Sequence, residues 1–530
     1  PKASAVGYDW NNDEAEVTAA AANGMLISNH SYGFAVRDED NQPLLPAYYF
    51  GGYTNESRTW DNIAYNAPYY LMVVAAGNEG IDNSVNPDPL GGESAFDKLT
   101  GHATSKNNLV IANGNDATIN TDGTLVSVTV SSGSSEGPTD DFRVKPDLMG
   151  NGTDLYSSYD SSDSAYNSIS GTSMASPNVA GSLLLLQQYY NETHGSFMKA
   201  STLKGLALHT ADDVAAEGPD AASGWGLMNA KKAAETVTKK GFQSIISEIE
   251  LINESTYTVV VKSDGIGPLS ASISWTDLPG VANTGVVNDP TPVLVQDLDI
   301  KVTNSSGETT ATFLPWKLTS VNTNEKGDNI VDPYERVDIE NASGEYTITI
   351  SHKGTLQGGV QKVSLIVTGV SSGIALLTSQ SNQTSCDNSV TFDFNYVETI
   401  GGTTVFSVSG LPANANVNLS NSSMSSDGNF TATFGNLDNV MPGLYTINLT
   451  GTNGNETTTT PIQLRVIHQS FLGEKILPSY PTNGLSGVTA AKMDLSWQNN
   501  NNAETYLVEV SENPSFSTIL FSETSYDSKF

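Results

Sequence analysis

Residues 168–181 read SISGTSMASPNVAG, and this stretch carries the strongest indication of fold and chemistry in the 530-residue chain. Gly171 and Thr172 predict a tight turn into an apolar helix, which places Ser173 at the helix N-terminus. Free N–H groups and the positive dipole end of a helix favour a developing anion at that position. An ordinary N-cap serine is the competing interpretation. The remainder of the stretch, residues 174–181, adds nothing to capping and therefore favours a chemical role for Ser173.

Two further motifs follow apolar strands earlier in the chain. Residues 73–80 read VVAAGNEG, where small residues leave an open groove and Asn78 offers an amide N–H donor for an oxyanion. Residues 27–33 read ISNHSYG and contain His30. Each motif also has a plainer interpretation, with Asn78 as a turn residue and His30 as a structural histidine.

Short apolar runs alternate with helical patterns over the first 240 residues. Helices are predicted at 14–23, 60–67, 173–190 and 230–239, and strands at 24–28, 71–76 and 109–112. Strands that alternate with helices indicate a parallel sheet covered on both faces.

After about residue 241 the pattern changes to the alternation of period two that is typical of half-buried strands. Strands predicted between 257 and 367 indicate a β-sandwich of about 130 residues. Further strand patterns at 390–394, 403–408, 430–434, 444–449, 494–497 and 505–511 indicate later β modules. The predicted domains are therefore 1–240, 241–370, 371–468 and 469–530.

Composition excludes several classes of function. The chain has 24 Lys and Arg residues against 58 Asp and Glu, a formal net charge of −34, which argues against nucleic-acid binding and docking on anionic lipid. No apolar run reaches the roughly 18 residues that a membrane span needs. Cys386 is the single cysteine, so the chain forms no internal disulfide.

The three motifs, in this order, resemble those of the subtilisin-like serine peptidases. SGTSMASPNVAG resembles the family's nucleophile motif, AAGN its oxyanion-hole motif, and NHSYG the strand that pairs with extended substrate. Segment 134–147 (SSEGPTDDFRVKPD) also resembles the family's segment that leads to the nucleophile, and 224–226 (GWG) is further agreement with the family. In the predicted sandwich, SWTD, QDLDI, PWKL, GDNIVDPYERV and HKGTLQGGVQKVSLIVTG resemble the KP-43-like branch, in which a jelly-roll domain follows the catalytic domain. The resemblance covers residues 1–370.

The resemblance implies a fold and a set of site residues. The fold is part of an α/β subtilisin-like parallel-sheet domain, followed by a jelly-roll β-sandwich and by Ig-like and fibronectin-III-like modules. Ser173 would be the nucleophile, and Asn78 with the Ser173 backbone N–H would bind the oxyanion. The substrate cleft would be lined by Ser31, Tyr32, Gly33, Ala75, Ala76 and Gly77.

The catalytic Asp and His of this family precede the nucleophile, and neither is identified here. His30 and His102 are not followed by Gly as the family motif requires, and His194 comes after Ser173. The opening ten residues resemble the strand that follows the family's catalytic-His helix. We therefore expect both residues upstream of Pro1, in which case residues 1–530 alone are an inactive fragment. A degenerate, non-catalytic domain is the alternative.

The implied protein is a secreted or cell-surface endopeptidase, monomeric, that cleaves polypeptides through a Ser-His-Asp triad and an acyl-enzyme. Its chemistry needs no cofactor. A structural calcium ion stays open, because the acidic turns at 297–299 and 328–332 are explained equally well as surface turns and no metal site is assigned. A surface adhesion protein, or one that binds carbohydrate or protein, is the competing function. Cleavage specificity is not readable from the sequence.

Overall fold

The computed structural model describes residues 6–8, 11–265, 267–306, 309–370, 373–378, 382–398, 400–454, 456–467, 476–481, 495–498, 500, 503, 506–525 and 528. The chain forms two compact units, Pro1–Asn191 with Ser196–Ser372, and Glu192–Gly195 with Gly373–Phe530. The finer division into four domains stays a prediction. In the part of the chain that is described, no helix is long and apolar enough to cross a membrane.

A four-stranded, all-parallel sheet and five helices form the α/β part of the first unit. The strands lie in the order Ile27–His30, Leu71–Ala75, Leu109–Gly114 and Leu148–Asn151. The helices are α1 (Asp13–Ala22), α2 (Asn55–Asn66), α3 (Thr172–His194), α4 (Ala200–Thr210) and α5 (Ala230–Thr238). Two small hairpins, Thr118–Ile119 with Leu125–Ser127 and Leu155–Ser158 with Tyr166–Ile169, accompany them.

Strand Leu71–Ala75 is buried along its whole length because helices cover both faces of the sheet. Val73 packs in one core with Val179 of α3, whereas Val74 packs in a second core with Trp60 of α2. This two-sided burial explains the uninterrupted apolar run that predicted the strand.

Several elements differ from the sequence prediction, which for instance began α2 at residue 60 and not at Asn55. The strand expected at 24–28 lies instead at Ile27–His30, because Gly24 adopts φ +93° in the turn that ends α1. Helix α4 was not predicted, because its residues are all buried and it therefore has no exposed polar face. Strand Leu148–Asn151 was not predicted either, because it has only two apolar residues.

Two four-stranded antiparallel sheets enclose a separate core in the β part of the first unit. One has the order Tyr257–Lys262, Glu345–His352, Leu298–Ser306 and Thr309–Phe313. The other has the order Tyr334–Ile339, Leu269–Ser274, Val360–Thr368 and Ser244–Ile252. Hairpin Trp316–Ser320 with Thr323–Lys326 lies outside both. The expected change from α/β to β structure near residue 241 is therefore present.

A buried ion pair joins the α/β part to this β part within the first unit. Lys106 Nζ lies 2.5 Å from Asp277 Oδ2 and also donates to the carbonyl oxygens of Leu278 and Val293. Asp277 Oδ1 accepts the backbone N–H of Gln296. The side chains of Lys106 and Asp277 are fully buried. Loss of either one would therefore leave the other as a buried charge without a counter-charge.

The second unit contains two larger sheets around an aromatic-rich core. One has the order Ile374–Leu377, Ser389–Glu398, Gly428–Gly435 and Asn416–Leu419. The other has the order Asn382–Ser385, Glu456–Val466, Gly443–Asn453, Thr404–Ser409 and Ser423–Met424. Two strand pairs follow, Pro478–Tyr480 with Ser496–Trp497 and Tyr506–Val510 with Phe521–Ser525.

Candidate active site

Ser173 lies in the first turn of α3 and is half-buried. Its Oγ donates to the carbonyl oxygen of Ser31 at 3.3 Å, and Ser31 Oγ donates to the Ser173 carbonyl oxygen at 2.8 Å. The Ser173 backbone N–H has no hydrogen-bond partner among the described residues, as expected for a first-turn N–H. The hydroxyl and this N–H are therefore available at the same helix end.

Asn78 follows strand Leu71–Ala75 and is exposed beside the N-terminus of α3. Its Oδ1 accepts both the backbone N–H of Thr172, at 3.0 Å, and the Thr172 hydroxyl, at 3.1 Å. These two bonds fix the amide with its oxygen towards the helix, which leaves Nδ2 as an oriented donor. Thr172 was not singled out in the sequence as a site residue, although it lies inside the motif.

One cavity of about 140 Å³ brings these groups together. Ser31 contacts Ser173 directly through the two hydrogen bonds described above. The other residues named in the sequence analysis all line the cavity: Tyr32, Gly33, Ala75, Ala76, Gly77, Asn78 and Ser173. Three motifs separated by up to about 140 residues in sequence thus meet at the carboxyl ends of adjacent parallel strands, the usual position of a ligand site in such sheets.

The backbone of Gly77 is already engaged within the protein. Its N–H donates to Thr172 Oγ1, and its carbonyl oxygen accepts the N–H of Ser135 and shares the single Thr172 hydroxyl proton with Asn78 Oδ1. A side chain at Gly77, where φ is +112°, would lie 2.7 Å from Ser135 Oγ. Gly77 therefore forms a cavity wall whose N–H and C=O are not free to pair with a peptide.

The cavity also has lining residues that the sequence analysis did not select, including Lys98, His102 and Ser135. His102 Nε2 donates to the carbonyl oxygen of Tyr32 at 2.9 Å and so supports the cavity wall that contains Tyr32. Ser135 belongs to the 134–147 motif and could have been chosen on that basis. Nothing in the sequence around Lys98 indicates the cavity.

His30 is buried, with 4% of its surface exposed, and its hydrogen bonds go to Ser28 and Tyr32 and not to Ser173. Tyr32 OH donates to Asp13 Oδ2, so His30 Nδ1 must donate to that hydroxyl, and Nε2 accepts from Ser28 Oγ. Burial lowers the pKa of His30 to about 3, so the ring is neutral. Both ring nitrogens are therefore occupied, and the plainer interpretation of a structural histidine fits this geometry.

The acidic turns considered for calcium surround the ammonium group of one lysine. Lys353 Nζ lies 2.6 Å from Asp299 Oδ1, 2.7 Å from Asp328 Oδ1 and 3.3 Å from Asp297 Oδ2. Asp332 is separate from them and accepts the backbone N–H of Val144. Among the described residues, no group of three or more His, Cys, Asp or Glu side chains is arranged to hold a metal ion.

Comparison with known proteins finds similarity in the α/β part. The model of the subtilase family matches residues 6–226. A C5a peptidase of Streptococcus pyogenes is 34% identical over 146 residues, which is 25% of this chain and 12% of that relative. A PII-type proteinase of Lactococcus lactis subsp. cremoris is 40% identical over 75 residues, 14% of this chain and 4% of that relative. The matched stretches thus span only a small part of either relative.

Among solved structures, the patellamide maturation protease PatA is 20% identical, with a TM-score of 0.30 over 42% of this chain and 67% of that chain. A lanthipeptide protease is also 20% identical, with a TM-score of 0.31 over 43% of this chain and 66% of that chain.

Proposed function

We propose that the whole protein is a serine endopeptidase that cleaves polypeptides, on the basis that the subtilase family model matches residues 6–226. The observation that carries the proposal is the meeting of Ser173 and Asn78 in one cavity, with the Asn78 amide held by Thr172. An N-cap serine and a turn asparagine would need no such arrangement.

In the proposed reaction Ser173 Oγ attacks the scissile carbonyl carbon while a histidine base takes the hydroxyl proton. The carbonyl oxygen becomes an oxyanion bound by Asn78 Nδ2 and the Ser173 N–H. Collapse breaks the peptide bond, the histidine returns the proton to the leaving amine, and an acyl-enzyme forms. Water then releases the acid by the same steps in reverse. Before attack, the hydroxyl must leave its present acceptor, the Ser31 carbonyl oxygen.

We place the histidine base and its aspartate partner outside residues 1–530. His30 is bonded to Ser28 and Tyr32, and His102 to the Tyr32 carbonyl, so neither is directed to the Ser173 hydroxyl in this structure. We propose accordingly that residues 1–530 alone hydrolyse peptides far more slowly than the protein that supplies both groups.

The walls of the cavity suggest how a polypeptide would be held. Residues 31–33 continue from the edge strand of the parallel sheet, and they are our choice for pairing with an extended substrate. The opposite wall, residues 75–77, contributes small side chains that allow close approach. Pairing by Gly77 itself is not part of the proposal, because its N–H and C=O are engaged.

We further propose that the β-sandwich of the first unit is a jelly roll and that the second unit contains Ig-like and fibronectin-III-like modules. We also propose that the protein is monomeric and is secreted or held at the cell surface. The net charge of −34 fits a partner other than nucleic acid or anionic lipid.

The test is casein hydrolysis by the protein as its own organism produces it, with Ser173→Ala compared against Ser170→Ala. Ser170 lies in the same motif, but its hydroxyl bonds Asp154. We expect Ser173→Ala to lose several orders of magnitude in kcat and Ser170→Ala to retain most activity. Equal activity in both variants, or none in the unaltered protein, would contradict the proposal and favour the binding or adhesion alternative.

A further inference from the structure

Two side chains hold the stretch that we chose for pairing with a substrate, and they bind successive carbonyl oxygens. The Ser31 carbonyl oxygen accepts from Ser173 Oγ at 3.3 Å. The next carbonyl oxygen, that of Tyr32, accepts from His102 Nε2 at 2.9 Å. A carbonyl oxygen can only accept, so this ring nitrogen carries a proton. His102 is therefore a donor to the main chain of the cavity wall.

The directions of these carbonyl groups decide which part of the main chain is open to a substrate. Residues 31–33 continue from strand Ile27–His30, and successive carbonyl groups of an extended chain point to opposite sides. With the Tyr32 carbonyl directed to His102, the N–H and C=O of Gly33 point to the same side as the Ser31 carbonyl. Gly33 is exposed, and neither group has a hydrogen-bond partner among the described residues. Gly33 therefore offers a free donor and a free acceptor.

The imidazole of His102 is itself held in one orientation. The side chain is buried, and its ring contacts the rings of Tyr32 and Trp60 with centroids 5.4 Å and 6.4 Å away. On the far side of the ring, Nδ1 lies 3.9 Å from Glu56 Oε1. That carboxylate oxygen also accepts from Trp60 Nε1 at 2.9 Å. One ring nitrogen is thus directed at the Tyr32 carbonyl and the other at a fixed carboxylate.

A second contact joins the same two segments. The ring of Phe34 lies on Gly101, the residue before His102. A Cβ atom at Gly101, where φ is +57°, would lie 2.4 Å from Cε2 of that ring. Phe34 also lines the candidate active-site cavity. Residues 32 and 34 are therefore both attached to the short helix Gly101–Thr104.

Another buried histidine shows what a role in packing alone looks like. His209 Nδ1 bonds Ser272 Oγ at 2.8 Å, and its Nε2 bonds Thr368 Oγ1 at 2.9 Å. Both partners are side chains between helix α4 and the β part, and His209 does not line the candidate active-site cavity. His102 differs because it binds main chain within the cavity wall.

We propose that His102 positions residues 31–33 for pairing with an extended polypeptide, and that Glu56 orients its imidazole. This inference rests on the proposed peptidase function. His102 touches no reacting atom in it, because its Nε2 is directed at the Tyr32 carbonyl. Without that donor the carbonyl is no longer fixed, and Gly33 is no longer held towards the substrate. Pairing far from the reacting bond benefits long substrates more than short ones.

The test measures kcat/KM with the protein as its organism produces it, for two blocked peptides around one casein bond that the wild type cleaves. The short peptide has a single residue on each side of the bond, and the long peptide extends further on both sides. His102→Phe fills the space of the ring but removes the donor. We expect kcat/KM to fall about 10-fold for the long peptide and little for the short one. His102→Gln, whose amide nitrogen can replace Nε2, should restore most of the loss.

The matched control is His209→Phe, which should lower Tm without changing the ratio of the two kcat/KM values. Equal losses for both peptides in His102→Phe, or no recovery in His102→Gln, would overturn the inference and leave the proposed function intact. Hydrolysis of neither peptide by the wild type would contradict both. Should His102→Phe fail to fold, His102→Asn replaces it, because its shorter amide does not reach Tyr32. Equal ratios for the Asn and Gln variants would then overturn the inference.

Discussion

At the scale of single residues, the Asn78 amide has the best-defined orientation in the candidate site. Two donors of Thr172 bind its oxygen, and the nitrogen is left directed away from them. The sequence motif predicted the donor at Asn78 but not the residue that orients it. Orientation depends on contacts between residues 94 positions apart, which no local pattern contains.

Replacing the amide tests this geometry in the protein as its organism produces it. Asn78→Asp keeps the shape of the side chain but removes the donor and adds a negative charge. We expect kcat to fall by about 100- to 1000-fold with little change in KM, a range that was itself measured on a subtilisin. Thr172→Val, which removes one orienting bond but keeps the donor, should cause a smaller loss. Steady-state kinetics decide, and equal kcat for wild type and Asn78→Asp would contradict the assignment.

His30 gives a pH prediction for stability. Its pKa in the folded protein is about 3, below the 6.5 of the free side chain, so the unfolded chain binds a proton that the folded chain does not. The stability that depends on neutral His30 is therefore present above pH 6.5 and is lost as the pH falls towards 3. Relative to His30→Gln, the free energy of unfolding of the wild type should fall by about 1.4 kcal/mol for each pH unit below pH 6.5. Urea unfolding at several pH values checks this, and parallel curves for the two proteins would contradict it.

At the scale of elements, uniform burial decides which parts could be predicted. Strand Leu71–Ala75 and helix α3 were expected because apolar runs and the motif mark them. Helix α4 has neither a polar face nor a cap motif, since it lies between the sheet and the β part, so its sequence shows no helical period.

The ion pair between Lys106 and Asp277 should contribute strongly to the contact between the α/β part and the β part of the first unit. Lys106→Met leaves Asp277 buried and without its cation, and we expect the free energy of unfolding to fall by about 3–5 kcal/mol. The matched control is Lys317→Met, which breaks a partly exposed pair with Glu325 and should cost no more than about 1 kcal/mol. Tryptophan fluorescence in urea measures both, because Trp60, Trp225, Trp275 and Trp316 lie in the first unit. Similar losses in the two variants would show that the buried pair contributes little.

At the scale of the whole molecule, the chain has two compact units with separate cores. The change in periodicity near residue 241 predicted where α/β structure gives way to β structure. Alternation of period two repeats throughout the later chain and does not distinguish one β-sandwich from another. Assignment of particular β folds therefore needs tertiary contacts that the pattern does not encode.

Separate cores predict separate unfolding transitions. Phe430 is 2% exposed and stacks on Phe406 with ring centroids 4.4 Å apart. Phe430→Ala should destabilise the second unit by about 3–5 kcal/mol and lower one calorimetric transition without moving the other. Leu444→Ala, at a position 53% exposed in the same unit, should move neither. A single transition that shifts as a whole in Phe430→Ala would show that the units unfold together.

The central claim is that Ser173 is the nucleophile of a serine peptidase. The most direct measurement is peptide mapping by mass spectrometry after a fluorophosphonate reacts with the protein as its organism produces it. The account predicts a covalent adduct on Ser173 that is lost in Ser173→Ala and retained in Ser170→Ala. An adduct on a different serine would contradict it. So would a protein that hydrolyses casein but whose Ser173 stays unmodified after treatment with the fluorophosphonate.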